Sequence, residues 1–240
     1  MVLTRGQVRA FYDHFGRKQD AQAFYEDAAL EDLIAHSAFE QATKVFELGF
    51  GTGRLAALLL ANHLPTSASY VGIDLSQTMT EIAEQRLSAY SDRAKVIRSD
   101  GSVQFPLPDQ SVDRIVSAYV LDLLSEEDIR RVIADARRVL IPGGKICLAS
   151  LTRGVTFSSQ VVSSLWSLAF HLRASLVGGC RPIRLDSFFD PNSWSIEYRA
   201  VVAQYGVPSE VLIVSPKWTP NPPLNTDAGD EAARAGSLAR

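Results

Sequence analysis

The chain of 240 residues is long enough for one α/β domain with added helices, and its 46% hydrophobic content is ample for a core. Its formal net charge of -3 gives no electrostatic footprint for nucleic acid or for an anionic membrane surface. The two cysteines, Cys147 and Cys180, are too few and too far apart for a disulfide framework or a metal site, so we expect reduced thiols, no bound metal and a cytoplasmic location.

Residues 4–42 are predicted to be helical. Apolar residues from Val8 to Phe15 recur at i, i+3, i+4 and i+7, and a second apolar stripe follows within residues 29–34. Packing on a sheet explains most of these side chains. The first 20 residues lack the apolar stretch of a signal peptide, so no secretion is predicted.

A strand, a glycine turn and a helix follow one another in Lys44–Leu55, which reads KVFELGFGTGRL. The turn places Gly49, Gly51 and Gly53 at alternate positions. Glycines allow positive φ and let a ligand approach the backbone, while the first N–H groups of the helix stay unpaired. The sequence therefore predicts a ligand-binding turn.

Two common ligands do not fit this turn. A dinucleotide fingerprint would need a third glycine where Arg54 stands, and no G-K-[ST] triplet of a phosphate loop occurs in the chain. Glu47 lies two residues before the first glycine. A carboxylate there would repel a pyrophosphate and suits a ligand that carries positive charge.

Two further acids end the next predicted strands. Residues 69–74 end on Asp74, 21 residues after Gly53, where nucleotide-binding βαβ units use a carboxylate to accept hydrogen bonds from ribose hydroxyls. A helix-capping or turn aspartate is the competing interpretation. Residues 94–99 lead to Asp100, which a simple Asp-Gly turn would also explain. Parallel strands end at one edge, so we expect these acids and Glu47 to converge on one crevice.

The pattern E-x-G-x-G-x-G, with an acid closing the next strand, resembles the class I S-adenosylmethionine-dependent methyltransferases. The cofactor of that family, S-adenosyl-L-methionine, carries an ammonium and a sulfonium and has no phosphate. The resemblance implies that Asp100 binds the adenine amino group and that Met79, otherwise a core residue, lies near the adenine edge. It implies a cofactor site made of Glu47, Gly49, Gly51, Thr52, Gly53, Asp74, Met79, Asp100, Gly101, Ser102, Tyr119 and Tyr25.

The resemblance also gives roles to segments around the site. It implies that residues 1–42 form a helical lid over the cofactor, with Tyr12 and Tyr25 as lid residues. Tyr119, at the end of a predicted strand over residues 112–120, would flank the sulfonium or the acceptor, and a core aromatic is the equal alternative. Asp122 is either a helix cap or a costly buried carboxylate.

The resemblance is close as far as residue 151. The last elements of this part are a helix over residues 126–139, a helix stop and tight turn at Ile141–Gly144, and a strand over residues 145–151. The pattern of residues 156–177 then predicts a helix that is apolar over a wide arc. Polar residues interrupt this apolar surface, so the segment is not predicted to span a membrane. In the family an insert here, residues 155–180, often builds the acceptor pocket, which favours a hydrophobic or aromatic acceptor. Dimerisation and plain packing are the alternatives.

Two strands, residues 193–203 and 209–214, are joined so closely that they must be antiparallel. The resemblance implies that such a hairpin ends a Rossmann-like α/β fold, with a seven-stranded sheet that is parallel except for one antiparallel strand near the C-terminus. The methyltransferase domain would span residues 43–215. Residues 216–240 are rich in Pro, Asn, Asp, Gly and Ala and predict a disordered tail.

The resemblance implies methyl transfer to a small molecule. The net charge predicts no nucleic-acid partner, and a homodimer is one explanation of the apolar helix. The segments YDHFG and LSQTM resemble those of quinone-biosynthesis methyltransferases. If the acceptor keeps its proton at neutral pH, His14 and His171 are the natural bases, although each is also explained as an exposed or packed histidine. Tyr119 is the third catalytic prediction. The alternative function is a catalytically silent protein that binds the cofactor as a partner or scaffold.

Overall fold

The computed structural model describes residues 2–218, apart from the side chains at 157–158 and 175–176. Most of the predicted tail therefore lies outside the described residues. The strands are β1 (Lys44–Leu48), β2 (Ser69–Asp74), β3 (Ala94–Arg98), β4 (Val112–Ala118), β5 (Leu140–Leu151), β6 (Trp194–Gln204) and β7 (Val207–Pro216). The α-helices are α1 (Arg5–Phe15), α2 (Ala23–Ser37), α3 (Arg54–Asn62), α4 (Gln77–Arg86), α5 (Glu126–Val139) and α6 (Phe157–Leu172).

The seven strands form one sheet in the order β3-β2-β1-β4-β5-β7-β6. Strands β1 to β5 pair in parallel, whereas β7 runs antiparallel to both of its neighbours. The predicted sheet with a single antiparallel strand is thus confirmed. The chain order reverses between β1 and β4, and in open α/β sheets ligands bind beyond the carboxyl ends of the strands at such a point.

Alternating side chains divide the core into two layers, one on each face of the sheet. On β1, Val45 packs into one layer and Phe46 into the other, and on β7 the same holds for Ile213 and Leu212. This is the period of two that a strand imposes on its side chains. Helices α2 and α3 supply the first layer and α5 the second. The sheet is therefore buried on both faces, as expected for parallel strands.

Strand β5 begins earlier than predicted. The strand already pairs at Leu140 with Val112, and the next pair joins Lys145 to Arg114, with a register shift between them. The predicted stop and turn at Ile141–Gly144 is therefore a bulge inside the strand. The four residues between the two pairs on β5 lie opposite a single residue of β4. Pairing on both sides keeps the strand continuous across a Pro-Gly-Gly sequence.

The β6–β7 hairpin turns over two residues, Tyr205 and Gly206, whose φ values are +50° and +82°. Two successive positive φ values are typical of the tight turn that matches the twist of antiparallel strands. The strands predicted over residues 193–203 and 209–214 leave a longer connection, but Pro208 lies within β7 and pairs with Ala203.

The segment before β1 splits into parts with different positions. Helix α1 starts at a capping box formed by Thr4 and Gln7 and packs against α4. A 3-10 segment, Gly16–Gln22, links α1 to α2. Helix α2 packs on β5, β6 and β7, so the simple packing explanation holds for it. Only α1 and the 3-10 segment extend over the carboxyl ends of the strands.

Candidate functional site

A cavity of about 400 Å³ lies where the glycine turn and the ends of β1, β2 and β4 meet helix α1. This volume falls within the range of small-molecule sites, roughly 300–1,000 Å³. The cavity walls include Gly49, Gly51, Asp74, Gly101 and Tyr119. The structure thus brings together the glycine turn and the ends of the neighbouring strands, as the sequence predicted.

The glycine turn leaves no room for side chains. Gly49, Gly51 and Gly53 have φ values of +76°, +54° and +75°, which other residues adopt only with strain. A Cβ at Gly49 would lie 2.2 Å from the side chain of Val120, and one at Gly51 would lie 2.8 Å from Gln19 Oε1. Gly49 and Gly51 therefore present backbone without side chains to the cavity. Gly53 precedes α3 as its N-cap residue and does not line the cavity.

Asp74 ends β2 and faces the cavity. Its Oδ2 accepts a hydrogen bond from Gly51 N–H at 2.9 Å, and its Oδ1 accepts one from Ser76 N–H at 2.9 Å. Burial raises the pKa of Asp74, although these backbone donors act in the opposite direction. Of the two competing interpretations, helix capping does not apply because Ser76 caps α4, whereas the bond to Ser76 N–H shows that Asp74 also acts as a turn aspartate. Each carboxylate oxygen keeps acceptor capacity for a ligand hydroxyl.

Glu47 lies inside the fold and does not line the cavity. Its side chain is 2% exposed and accepts a hydrogen bond from the Tyr70 hydroxyl at 2.6 Å. Burial raises the pKa of Glu47 to about 8, with a further rise from the charge of Asp74, against the opposing Tyr70 hydrogen bond. The predicted contact with a cationic ligand required an ionised, open carboxylate, so the structure corrects that part of the prediction.

The loop after β3 reaches the cavity through its backbone. Gly101 and Ser102 line the cavity, whereas Asp100 is exposed and outside the lining. Asp100 Oδ1 accepts a hydrogen bond from Ser102 N–H at 2.7 Å, which is the simple Asp-Gly turn considered above. Met79 is a residue of α4 and is fully buried as a core residue. Neither Asp100 nor Met79 contributes to the cavity wall in this structure.

Thr52 supports the site from behind the turn. Its hydroxyl donates to Asp20 at 2.5 Å and accepts from Arg86 at 2.7 Å, and Arg86 also donates to Asp20 at 2.5 Å. Asp20 belongs to the 3-10 segment and Arg86 to α4. Thr52 therefore fastens the 3-10 segment to the glycine turn instead of lining the cavity, contrary to its predicted contact role.

Tyrosines form the wall near β4. Tyr119 lines the cavity with φ of +56°, and its hydroxyl lies 2.8 Å from Ser209 Oγ on β7. Tyr12 of α1 also lines it, with its hydroxyl 3.9 Å from Cys180 Sγ. Burial raises the pKa of both phenols, so both stay protonated at neutral pH. Tyr25 packs edge-on against Tyr119 in the core and is a supporting residue outside the lining.

The two predicted bases lie elsewhere. His14 is exposed on α1, and His171 is exposed on α6 with Nδ1 2.6 Å from the Ser167 carbonyl oxygen. The cavity contains no imidazole among the residues described. Their roles as bases are therefore not supported by their positions.

Helix α6 does not build the pocket that was predicted for residues 155–180. None of its described residues lines the cavity. One face of the helix turns Trp166 and Phe170 inward, and Trp166 Nε1 donates to the Cys180 carbonyl at 3.1 Å. The loop after α6 lies close to α1, since a Cβ added at Gly178 would lie 3.3 Å from the Phe11 ring.

Several cavity residues were missed from the sequence, and three of them have long polar side chains. Gln19, Arg5 and Arg9 all line the cavity, and the two arginines lie one turn apart on α1 beside Val8. Their spacing with Val8 and Tyr12 places these residues on one helix face, a signal that the sequence offers. Gln19 lies in a polar stretch without periodicity, so only the tertiary fold reveals it.

Within residues 2–218, no helix is long and apolar enough to cross a membrane. No group of three or more His, Cys, Asp or Glu side chains in this range could hold a metal ion.

Comparisons with known proteins point to one family. A family profile described as a methyltransferase domain matches residues 45–144. An uncharacterised methyltransferase of Geobacillus kaustophilus is 31% identical over 163 residues, which cover 67% of this chain and 71% of that protein. A demethylmenaquinone methyltransferase of Symbiobacterium thermophilum is 26% identical over 149 residues, which cover 59% of this chain and 58% of that protein. The chain covers between 52% and 56% of the length of the first curated relatives that it matches.

The fold has counterparts among solved structures. A chain from the complex between the Trm112 methyltransferase activator of Haloferax volcanii and a methyltransferase superposes with a TM-score of 0.69 at 15% identity. The match covers 90% of this chain and 100% of that chain. At this identity the likeness shows the fold alone.

Proposed function

Since the chain belongs to the class I S-adenosylmethionine-dependent methyltransferases, we propose that it transfers the methyl group of S-adenosyl-L-methionine to a small hydrophobic or aromatic molecule. One observation carries the proposal. A single cavity joins the bare backbone of the glycine turn and Asp74 to an apolar wall that includes Val8, Tyr12 and Leu123. Donor and acceptor would meet within that cavity.

The residues of the cavity fit this cofactor. Gly51 brings backbone without a side chain to the cavity wall beside Gln19, and Asp74 offers carboxylate oxygens for ribose hydroxyls. Gly101 and Ser102 offer backbone beside the position proposed for the adenine. The cofactor itself supplies a methyl group already activated by its sulfonium.

Protein residues then have to orient the two reactants and keep water away. Helix α1 covers the cavity with Val8 and Tyr12, and Tyr119 forms the wall at the end of β4. A cavity closed by a helix suits a small molecule better than a polymer. The apolar wall favours an acceptor with a hydrophobic or aromatic body.

The chemistry of the wall also limits the acceptor atom. No imidazole lines the cavity within the described part of the chain, and both phenols stay protonated at neutral pH. The carboxylates of the wall already have partners, since Asp128 pairs with Arg5 and Asp74 accepts hydrogen bonds from the backbone of Gly51 and Ser76. We therefore propose an acceptor that is nucleophilic without a protein base, such as a neutral amine, a carboxylate, a phenolate or a stabilised carbanion.

Turnover by the purified protein tests the proposal. Incubation with S-adenosyl-L-methionine and a panel of small aromatic and hydrophobic acceptors should release S-adenosylhomocysteine in step with methylated product. Calorimetry should show binding of S-adenosylhomocysteine in the same preparation. Binding without turnover across the panel would favour the silent alternative. Uptake of NAD or ATP in place of S-adenosylhomocysteine would overturn the proposal altogether.

A further inference from the structure

The 3-10 segment Gly16–Gln22 is held over the glycine turn by a defined contact set, which we call the Asp20 clasp. It consists of Asp20, Thr52 and Arg86, joined by hydrogen bonds of 2.5–2.7 Å. Charge-assisted bonds of this kind are stronger than neutral ones. The clasp fixes the residue before Asp20 directly against the turn.

That residue is Gln19, and its carboxamide oxygen has no hydrogen-bond partner. Gln19 Oε1 is buried and unpaired, and a Cβ added to Gly51 would lie only 2.8 Å away. An unpaired buried acceptor is costly for a folded protein. Of the unpaired buried side-chain atoms within residues 2–218, this is the only one on a residue that lines the cavity.

The charged groups near the turn already have partners. Arg86 is committed to Asp20, and Arg54 pairs with Asp27 and Glu26. A carboxamide oxygen only accepts hydrogen bonds, so its missing partner must be a donor such as an ammonium. The cofactor of the proposed function carries one such group, on its methionine portion.

We propose that Gln19 binds the α-ammonium of S-adenosyl-L-methionine, with Oε1 accepting a hydrogen bond from it above Gly51. The inference rests on the proposed function and deepens it by assigning a residue to one part of the cofactor. In this arrangement the 3-10 segment recognises the amino-acid portion, while Asp74 and the loop after β3 recognise the nucleoside.

Two ligands separate these portions. S-adenosylhomocysteine carries the ammonium, and 5′-methylthioadenosine has the same nucleoside and thioether without the amino-acid group. Gln19→Met keeps the side-chain length and removes the acceptor. Calorimetry should show that Gln19→Met weakens S-adenosylhomocysteine binding about tenfold or more, the effect of a lost hydrogen bond to a charged group, and changes 5′-methylthioadenosine binding less than twofold.

Two further variants sharpen the result. Gln22→Met changes the same residue type in the same segment but outside the cavity lining, so it should bind both ligands as the wild type does. Gln19→Glu keeps an acceptor oxygen and adds negative charge, so it should bind S-adenosylhomocysteine at least as tightly as the wild type does.

Each other outcome counts against the inference. An equal loss for both ligands would assign Gln19 a general role in shaping the cavity, and no loss for either would remove it from the site. Weaker binding by Gln19→Glu would mean that the carboxamide donates to the ligand carboxylate. If the wild type bound neither ligand, the proposed function itself would fail, which is a different result from a failure at Gln19 alone.

Discussion

Asp74 and Asp100 occupy equivalent places in the sequence, each at or just after the end of a parallel strand, but only Asp74 lines the cavity. Asp74 lines the cavity and holds the glycine turn through Gly51 N–H, whereas Asp100 is exposed and bonds its own loop. Both end or follow parallel strands, so their positions along the chain cannot separate them. Only the course of the backbone after each strand decides which carboxylate reaches the cavity.

Replacement of these two acids should therefore give different results. Asp74→Ala should weaken S-adenosylhomocysteine binding by at least about 1.5 kcal/mol, because a ribose acceptor and a support of the turn are both lost. Asp100→Ala should change the binding free energy by less than about 0.5 kcal/mol, as expected for an exposed position. Calorimetry on both variants makes the comparison, and equal losses would contradict the assignment.

Glu47 leads to a prediction about pH. Burial raises its pKa to about 8 from an ordinary value of 4.5. Between these values the unfolded chain loses the proton while the folded chain keeps it, so the free energy of unfolding falls as pH rises. Asp122 and Glu26 contribute in the same direction, but with pKa values raised only to about 7. Glu47 thus has the largest part of the effect between pH 7 and 8.

Glu47→Gln should flatten this pH dependence. The variant should lose up to about 1.4 kcal/mol per pH unit from the slope of the unfolding free energy against pH. This difference in slope from the wild type should still be present between pH 7 and 8. Urea denaturation at pH 5, 6, 7, 8 and 9 measures it. The prediction fails if the variant and the wild type lose stability in parallel over this range.

At the scale of elements, α6 presents two different faces. Phe170 is 6% exposed and packs inward, while Leu165 and Leu168 are 61% and 55% exposed. The apolar arc was visible in the sequence, but its burial was not. The hydrophobic residues on the outer face remain uncovered in the single chain, and the homodimer predicted from them stays a prediction.

Substitutions on the two faces should differ in cost. Phe170→Ala should lower the free energy of unfolding by about 3–5 kcal/mol because it leaves a cavity in the core. The double variant Leu165→Gln with Leu168→Gln should change it by less than about 1 kcal/mol, since exposed sites contribute little. Chemical denaturation tests both variants. Sedimentation of the double variant beside the wild type tests the homodimer.

Local patterns predicted the elements well where one rule dominated. The apolar run that ends at Leu48, followed by glycines at alternate positions, predicted β1 and the turn. Local patterns gave the wrong element where pairing with an adjacent strand determined the structure, as in the bulge of β5 beside β4. They also failed for Gln19, because the clasp that positions this residue joins three segments far apart in the chain.

At the scale of the molecule, ligand binding and folding are linked. A ligand that binds only the folded chain, at 100 times its dissociation constant, stabilises it by about 2.7 kcal/mol. For a chain of this size that corresponds to a rise in melting temperature of roughly 5–10 °C. S-adenosylhomocysteine should produce this shift in thermal melts, and NAD at the same concentration should not. A shift with NAD alone would contradict the proposed cofactor.

The position of Tyr119 in the cavity wall matters for the design of shortened fragments of the protein. The Tyr119 hydroxyl is anchored to Ser209 in the C-terminal hairpin, and the opposite wall of the cavity comes from α1 near the N-terminus. Residues 45–144, which the family profile matches, include neither anchor. A fragment of residues 45–144 would therefore lack both segments that enclose the cavity, α1 and the C-terminal hairpin.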